Sequence, residues 1–494
     1  MDYRAAKQPF GTFKSKDSLK ILKIRREKIV ENFVKNNFFK SQIAKYKRIN
    51  LLGYGKIMSD LGAILAPCDI YDDKFSEISI DSNGNRLLPS KEIANLSQKE
   101  RDLSLSIISP GIPPHSFLAQ NAPNIISEYD FFAPVMPFSV WISGTNGKTT
   151  TTQMTALLLR DLGAQSGGNI GIPLCNLDFG DSRDFSEDSR ESRKDSHNLG
   201  ESNSHQSHES RKDLSKNPKD SPLWILETSS FMLHYTNTAK PDIYALLPIT
   251  DDHISWHSDF KSYVASKLKP LPLMSVDSSA IIPKIYADSP QSKAFRGKLY
   301  LYDSAESLAN LFGIDLQKLR FKGAFLLDSI LSLAISKLIT HKIDYDLINS
   351  FKIDSHKIEE FFDAKNRLFV DDSKATNISA AVEALKIYKD KFIFLILGGD
   401  NKGVSLSPLV EILRDYHLKV FAIGACENHI KELCDESRIF CEVCGDLQNA
   451  VAKIKAEFND ANNQICLLSP ACASLDQFKS YAERGNLFKK YALD

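Results

Sequence analysis

Residues 138–158 read FSVWISGTNGKTTTTQMTALL, and this stretch decides the fold. Phe138 to Ser143 is a mostly apolar run of strand length, and Thr149 to Leu162 carries Met154, Leu157, Leu158 and Leu162 at helical spacing. Between them lies the turn Gly144-Thr145-Asn146-Gly147-Lys148. Its glycines let the backbone turn sharply and bring amide N–H groups close to an anion, while the N-terminus of the following helix adds partial positive charge. Lys148 is placed to reach the β- and γ-phosphates of a nucleotide, and the Thr149 hydroxyl to meet Mg²⁺. The strict pattern G-x-x-x-x-G-K-[ST] is not met, because Ile142 stands five residues before Gly147, so the match is to the shorter form G-T-N-G-K-T. A glycine-rich turn alone is a common structural connection. Strand, turn, Lys-Thr and helix in this order favour nucleotide binding.

A chain of 494 residues is long enough for several cores. Lys plus Arg and Asp plus Glu are equal at 62 each, which gives no electrostatic case for nucleic acid or a membrane surface. No apolar run has the length of a membrane span and no signal peptide opens the sequence, so a cytoplasmic protein without membrane insertion is expected. The eight cysteines show no framework spacing; Cys441-Glu-Val-Cys444 lacks the further ligands that zinc needs, and is read as a short strand with partly buried thiols.

Residues 1–47 form a basic extension in which Lys and Arg far outnumber Asp and Glu, read as poorly ordered. Folded sequence begins with the strand Arg48–Leu52, then Gly53-Tyr54-Gly55-Lys56 and an apolar helix to Leu65, opening a unit assigned to 48–135. A central unit covers 136–354 and is interrupted at 179–222 by a Ser-, Asp-, Glu- and Arg-rich insertion in which ESRKD occurs twice, a composition that cannot bury enough apolar surface to order itself. Its His197, His205 and His208 are read as solvated rather than metal-binding. After the insertion, Leu223–Glu227 and Asp242–Leu247 read as strands and helices are expected onward to about Ser355. A last unit, 355–494, has the strands Leu368–Val370, Phe392–Leu397, Val420–Ile423, Ile439–Val443 and Ile465–Leu468 with helices between. The predicted fold class is therefore α/β: three consecutive α/β domains with mainly parallel sheets, Rossmann-like at both ends and P-loop-like in the centre.

Ligands of open α/β sheets bind outside the carboxyl ends of the strands. Glu227 ends one predicted strand, and Asp251, Asp252 and His253 follow the next. In the last unit, DDSKATN (371–377), GGDNKG (398–403) and SPACASLD (469–476) follow three strands, bringing Lys, Ser and Thr donors suited to a small dianion. Each feature alone is also what ordinary capping supplies.

The set GTNGKTT (144–150), GGNIG (167–171), LETSSF (226–231), DDH (251–253), DDSKATN (371–377), LGGDNKG (397–403), LSPACASLDQF (468–478) and RGNLF (484–488) resembles the Mur ligases, with the last four motifs closest to the D-glutamate-adding branch. The resemblance spans about residues 49–494 outside the insertion. It implies an ATP-dependent amide ligation in peptidoglycan synthesis, in which the terminal carboxylate of UDP-N-acetylmuramoyl-L-alanine is phosphorylated and then attacked by D-glutamate; a monomer is expected. By this likeness, Gly144, Thr145, Asn146, Gly147, Lys148, Thr149 and Thr150 bind ATP phosphates, with Asp328 near adenine and Asp372 at the ribose. Thr149, Glu227, His253 and Lys267 hold Mg²⁺, Lys267 standing where the family has a carbamylated lysine; Lys148, His253 and Lys267 are the catalytic set. From its sequence surroundings alone, Lys267 reads as a solvated helical lysine. Ser109, Gly111 and Asn169 are implied for the uridine nucleotide substrate, and Lys374, Thr376, Lys402, Ser474, Leu475 and Tyr481 for D-glutamate.

This sequence departs from the family pattern at three places. The family's His-Arg is His356-Lys357, its Asn-rich adenine segment is Gly323 to Asp328, and a Phe near the amino-acid pocket is Tyr481. Two other readings compete: a relative that adds another amino acid, including a folylpolyglutamate-type ligase, and a non-catalytic nucleotide-binding scaffold.

Overall fold

The computed structural model describes residues 46–177, 222–459 and 463–494. The basic extension up to residue 45 and the insertion from 178 to 221, with its three histidines, lie outside the described residues. By backbone proximity the chain divides into two compact units, one of residues 1–140 and 160–242, the other of 141–159 and 243–494.

Three six-stranded sheets carry the architecture. The first contains β1 (Arg48–Leu52), β2 (Asp69–Asp72), β3 (Ser79–Ile80), β4 (Arg86–Pro89), β5 (Ser104–Ile108) and β6 (Ile125–Ser127) in the order β3-β4-β2-β1-β5-β6. Only β3 runs antiparallel to its neighbour. Helix α1 (Lys56–Leu65) follows β1 and buries Met58 and Leu61. The second sheet contains β7 (Phe138–Ser143), β8 (Ala164–Gly168), β9 (Leu223–Glu227), β10 (Ile243–Leu246), β11 (Ser279–Pro283) and β12 (Lys298–Tyr302) in the order β12-β11-β10-β7-β9-β8. Strands β1, β7 and β9 span the residues predicted for them. Between β10 and Ser355, where only helices were expected, the chain also forms β11 and β12. Each has five residues, too short for periodicity to separate a strand from a buried helical turn.

Helix α2 (Lys148–Leu158) leaves the glycine-rich turn and gives way to a 3₁₀ turn at Arg160–Leu162, ending sooner than predicted. Gly163, with φ 71°, reverses the chain there. Two further helices of this region bear on the site: α3 (Phe260–Leu268) and the apolar α4 (Ala324–Thr340), which packs on α2.

The third sheet contains β13 (Glu359–Phe362), β14 (Leu368–Asp371), β15 (Phe392–Gly398), β16 (Leu418–Ile423), β17 (Cys441–Gly445) and β18 (Gln464–Leu468) in the order β13-β14-β18-β15-β16-β17, parallel except for the edge strand β13. Strand residues alternate between its faces. Val370, Leu395, Leu397 and Val420 pack against α5 (Ile378–Ile387), α6 (Ser407–Leu413) and α7 (Glu427–Glu436). Phe369, Phe394 and Phe421 face α8 (Leu447–Glu457) and α9 (Tyr481–Leu493), meeting Val451 and Phe488. Burial on both faces explains why β15 reads FIFLILG, without polar alternation. The carboxyl ends of β14, β15 and β18 deliver the three polar loops singled out in the sequence. No helix among the described residues is long and apolar enough to cross a membrane.

Candidate active site

Strand β7 runs into Gly144, whose φ is 141°, and the turn closes at Gly147, left-handed at 81°, immediately before α2. A Cβ at Gly144 would lie 2.4 Å from that of Leu247, and one at Gly147 would lie 2.2 Å from Asp328 Oδ1. Both glycines are therefore required by close approach as well as by backbone angle. The Thr145 hydroxyl donates to the Thr250 carbonyl at 3.1 Å and meets the Tyr263 hydroxyl at 3.1 Å, pinning the turn from beneath. Lys148 Nζ folds back to the Thr145 carbonyl at 2.8 Å, and Lys357 Nζ donates to Thr150 Oγ1 at 3.1 Å. Asp328 is buried below the turn and accepts from Thr151; burial pushes its carboxyl up to about 7, against the pull of Thr151 and Lys357.

Lys267 corrects the sequence-based reading of a solvated lysine, because it is only 1% exposed. Its Nζ donates to the Gly144 carbonyl at 2.7 Å and lies 4.7 Å from the ring centroid of Tyr263, one helical turn earlier on α3. The ammonium is thus held directly beneath the glycine-rich turn.

His253 takes a left-handed conformation, φ 54°, at the start of a short helix, beside the buried Asp252. Burial, reinforced by Lys402, Lys148 and Lys267 and opposed by Asp252, pushes the imidazole down to about 4, so it is neutral near pH 7, as a metal ligand must be. Burial works against ionisation of Asp252, but His253, Lys402, the His253 amide and Lys148 together hold its carboxyl below the usual range. Asn377 caps α5 and its amide exchanges two hydrogen bonds with Asn146 of the turn, at 3.0 and 3.2 Å; it also donates to Asp252 at 3.3 Å. Lys402 Nζ stands 3.5 Å from Asp252. Two loops of the third sheet therefore touch the phosphate turn and its acidic neighbour directly.

Elsewhere in the polar loops, Lys374 Nζ sits 3.8 Å over the Tyr481 ring, and its amide donates to the His356 carbonyl. Thr376 is half-buried, Ser474 is buried, and Leu475 is 72% exposed. Asp372, expected at a ribose, is buried and accepts from Ser469 at 2.7 Å; burial pushes its carboxyl up to about 8, although Ser469, the Ile358 amide and Arg484 pull it down. His356, Glu359 and Asp371 come within 4.8 Å of one another in a metal-like group. His356 bonds Asp371 at 2.6 Å and Lys489 pairs with Glu359 at 2.6 Å, so the group is balanced internally.

In the other unit, Asn169 donates its side-chain amide to Glu227 Oε1 at 2.8 Å and its backbone N–H to the Glu227 carbonyl. Glu227, 3% exposed, is not the open loop carboxylate that its position at a strand end suggests. The Ser109 amide closes onto Leu52, and Gly111 is exposed. Tyr54 of the Gly-x-Gly turn donates its amide to Asp72 at 2.5 Å, and Lys56 reaches the Gly171 carbonyl at 2.5 Å.

The family model for the Mur ligase middle domain matches residues 142–321. A UDP-N-acetylmuramoylalanine–D-glutamate ligase of Campylobacter jejuni is 45% identical over 448 residues, covering 90% of this chain and 98% of the relative. The enzyme of the same name from Helicobacter pylori is 41% identical over 466 residues, covering 90% and 99%. The chain belongs to the UDP-N-acetylmuramoylalanine–D-glutamate ligase family. The MurF structure from Acinetobacter baumannii, 13% identical with a TM-score of 0.50, covers 91% of this chain and 92% of its own, and shares the fold.

Asp252 and Lys357, which the sequence reading named, stand in the site, and so do Asn377 and Arg484, which lie in quoted motifs but were assigned no role from sequence. Arg484 is fully buried and donates to Ser373 and to the Cys472 carbonyl, tying the loop after β14 to the loop after β18. Burial pushes its guanidinium down to about 10, despite the opposing charges of Asp476, Asp371 and Asp372. For Asn377 a signal was available, since an Asn directly before an apolar helical pattern is a strong N-cap. Arg484 opens the quoted motif RGNLF, but its burial was not legible there, because an Arg in a helix ordinarily reads as solvated.

Proposed function

We propose that this chain is an ATP-dependent ligase that adds D-glutamate to UDP-N-acetylmuramoyl-L-alanine. The observation that carries this reading is the junction of the phosphate turn with the polar loops of the third sheet, through Asn146–Asn377 and Lys402–Asp252. A nucleotide held at Gly144–Thr150 would have its terminal phosphate beside loops rich in carboxylate-binding donors. The substrate carboxylate would attack the γ-phosphorus and release ADP. The acyl phosphate so formed carries the good leaving group that a free carboxylate lacks, and the amine of D-glutamate would then attack the acyl carbon and expel phosphate.

Turn amides and Lys148 would cradle the phosphates, and Lys357 at Thr150 would add a second cation. The donor set fits Mg²⁺: the Thr149 hydroxyl and the neutral imidazole of His253 supply ligands, and Glu227 is assigned by its motif. Magnesium, when bound, spreads the charge that builds on the phosphoryl oxygens. Lys267 as an ammonium cannot ligate a cation, so its place in the metal set would need a carbamate on its Nζ, which is anionic. Asp328 would stand near adenine and Asp372 at the ribose. Ser109, Gly111 and Asn169 would meet the uridine nucleotide, and Lys374, Thr376, Lys402, Ser474, Leu475 and Tyr481 the D-glutamate. The domains assigned at 48–135, 136–354 and 355–494 would divide the uridine, ATP and amino-acid roles, in a monomeric cytoplasmic enzyme.

Phosphate release with UDP-N-acetylmuramoyl-L-alanine, ATP and a panel of amino acids tests this. Release is expected with D-glutamate only, and is expected to fall about 10²–10³-fold in Lys148→Ala. Release with L-lysine or diaminopimelate instead would assign another member of the ligase group, and no release with any amino acid would leave a scaffold.

A further inference from the structure

Cys426 and Cys472 lie on different loops at the carboxyl end of the third sheet, yet their Sγ atoms are 3.7 Å apart. Cys426 precedes α7 after β16, and Cys472 lies in the loop after β18, two residues before Ser474. We propose that these two thiols are a modification site, a pair that a peroxide converts reversibly into a disulfide and that thereby weakens binding of the amino-acid substrate. The effect on binding rests on the assignment of Ser474 and Lys402 above; formation of the bond does not.

The site is built for coupling. The Cys426 amide donates to the Gly399 carbonyl, and the Ala425 amide to Asp476 at 2.9 Å. Asp400 and Ala473 exchange two backbone hydrogen bonds, at 3.0 and 2.8 Å, so the loop of Cys472 is laced to the loop of Lys402. A disulfide needs its sulfurs about 2.05 Å apart. The loops hold no slack to absorb that closure: a Cβ at Gly399 would lie 2.2 Å from the Ala473 carbonyl oxygen, and one at Gly424 would lie 2.4 Å from Asp476. Drawing Cys472 toward Cys426 must shift Ala473 and, through Asp400, the base of the Lys402 loop. Arg484, bonded to the Cys472 carbonyl, resists that displacement and favours return to the dithiol.

The chemistry balances with one peroxide. Cys426, buried but 9% exposed against 0% for Cys472, is the less enclosed of the pair and is therefore assigned as the thiol that meets the oxidant, and the N-terminus of the ten-residue helix α7 favours its thiolate. The bond to Cys472 likewise lowers the Cys426 thiol below its ordinary range, against the effect of burial. The Cys426 thiolate attacks one oxygen of the peroxide and breaks the O–O bond; a sulfenic acid forms, and the departing hydroxide takes up the proton the thiol had released and becomes water. The Cys472 sulfur then attacks the sulfenic sulfur and expels a second water, closing the disulfide. A dithiol reductant returns both thiols.

The test uses the full chain treated with hydrogen peroxide. Peptide mapping without reduction is expected to show Cys426 linked to Cys472, with the KM for D-glutamate raised about tenfold and that for ATP unchanged. Dithiothreitol should restore both, and Cys426→Ser, or Cys426→Ala if the serine variant does not fold, should form no such link and keep its KM on treatment. Absence of the linked peptide, a link only between Cys434 and Cys441, or a variant as sensitive as the parent would overturn the proposal. A Cys426–Cys472 link with no change in KM would overturn the coupling to substrate. An untreated enzyme without D-glutamate-dependent turnover would sink the functional reading instead, while the mapping would still decide the bond.

Discussion

Glu128 stands at the start of the short helix Glu128–Phe132 with no exposed surface. Its Oε1 accepts the Leu174 amide at 2.9 Å, and its Oε2 finds no partner among the described residues. Burial pushes the carboxyl up to about 7; the Leu174 and Cys175 amides pull it down, and Asp60 adds to the rise. The folded state therefore holds a proton that the unfolded chain, with its ordinary carboxyl near 4.5, has released between roughly pH 5 and 7. Stability must fall as pH rises through that window, by up to about 1.4 kcal/mol per pH unit for this one group, and level off above it. Glu128→Gln removes the titration, so urea unfolding over pH 5 to 8 should lose up to one proton's worth of slope. An unchanged slope would mean that Glu128 is ionised in the fold. Nothing in Ser127-Glu128-Tyr129-Asp130 marks the first acid as buried, and Lys267 was hidden for the same reason. Burial of a single charged side chain is decided by tertiary neighbours, whereas Lys148 was legible because its turn carries the signal in consecutive residues.

At the scale of elements, Gly147 in the turn before α2 and Gly171 in the loop after β8 share a positive φ but differ in surroundings. Gly147, φ 81°, faces Asp328, whereas Gly171, φ 91°, has no atom within 4 Å of where a Cβ would stand. Gly171→Ala should cost only the backbone strain, about 1–2 kcal/mol. Gly147→Ala should cost that plus about 1–3 kcal/mol for displacing a buried carboxyl fixed by Thr151. Calorimetry should therefore show the Gly147 variant melting lower than the Gly171 variant by a few degrees; equal midpoints would show that Asp328 moves aside freely. Strands with long apolar runs, such as β7 and β15, were legible because burial on both faces leaves no ambiguity. Strands β11 and β12 were not, since a five-residue run ending near Pro283 or flanked by polar turns fits either state. The loops after β14, β15 and β18 were legible as polar strand ends, but their junction with the phosphate turn depends on Asn146 and Asn377, which are 231 residues apart.

For the whole molecule, the sequence separates segments that carry motifs from one that carries none. Matched relatives are covered over 98–99% of their length, and none of the quoted motifs falls in residues 179–222. Residues 179–222 join β8 to β9, and both flanks are secured without them. Strands β8 and β9 pair in parallel from Ala164–Leu223 to Gly168–Glu227, and Leu174, Cys175 and Leu177 are buried. Replacing residues 182–220 with a short Gly-Ser linker should therefore leave D-glutamate-dependent turnover within about twofold. Shortening the connection also lowers the chain-closure entropy, so the melting temperature should hold or rise slightly, by an amount on the order of 1 kcal/mol in stability. Turnover and calorimetry on the replacement variant decide the matter together. A large loss of turnover at unchanged stability would place a function in the Ser-rich segment, because the register of β8 with β9 would then be intact and only its chemistry missing.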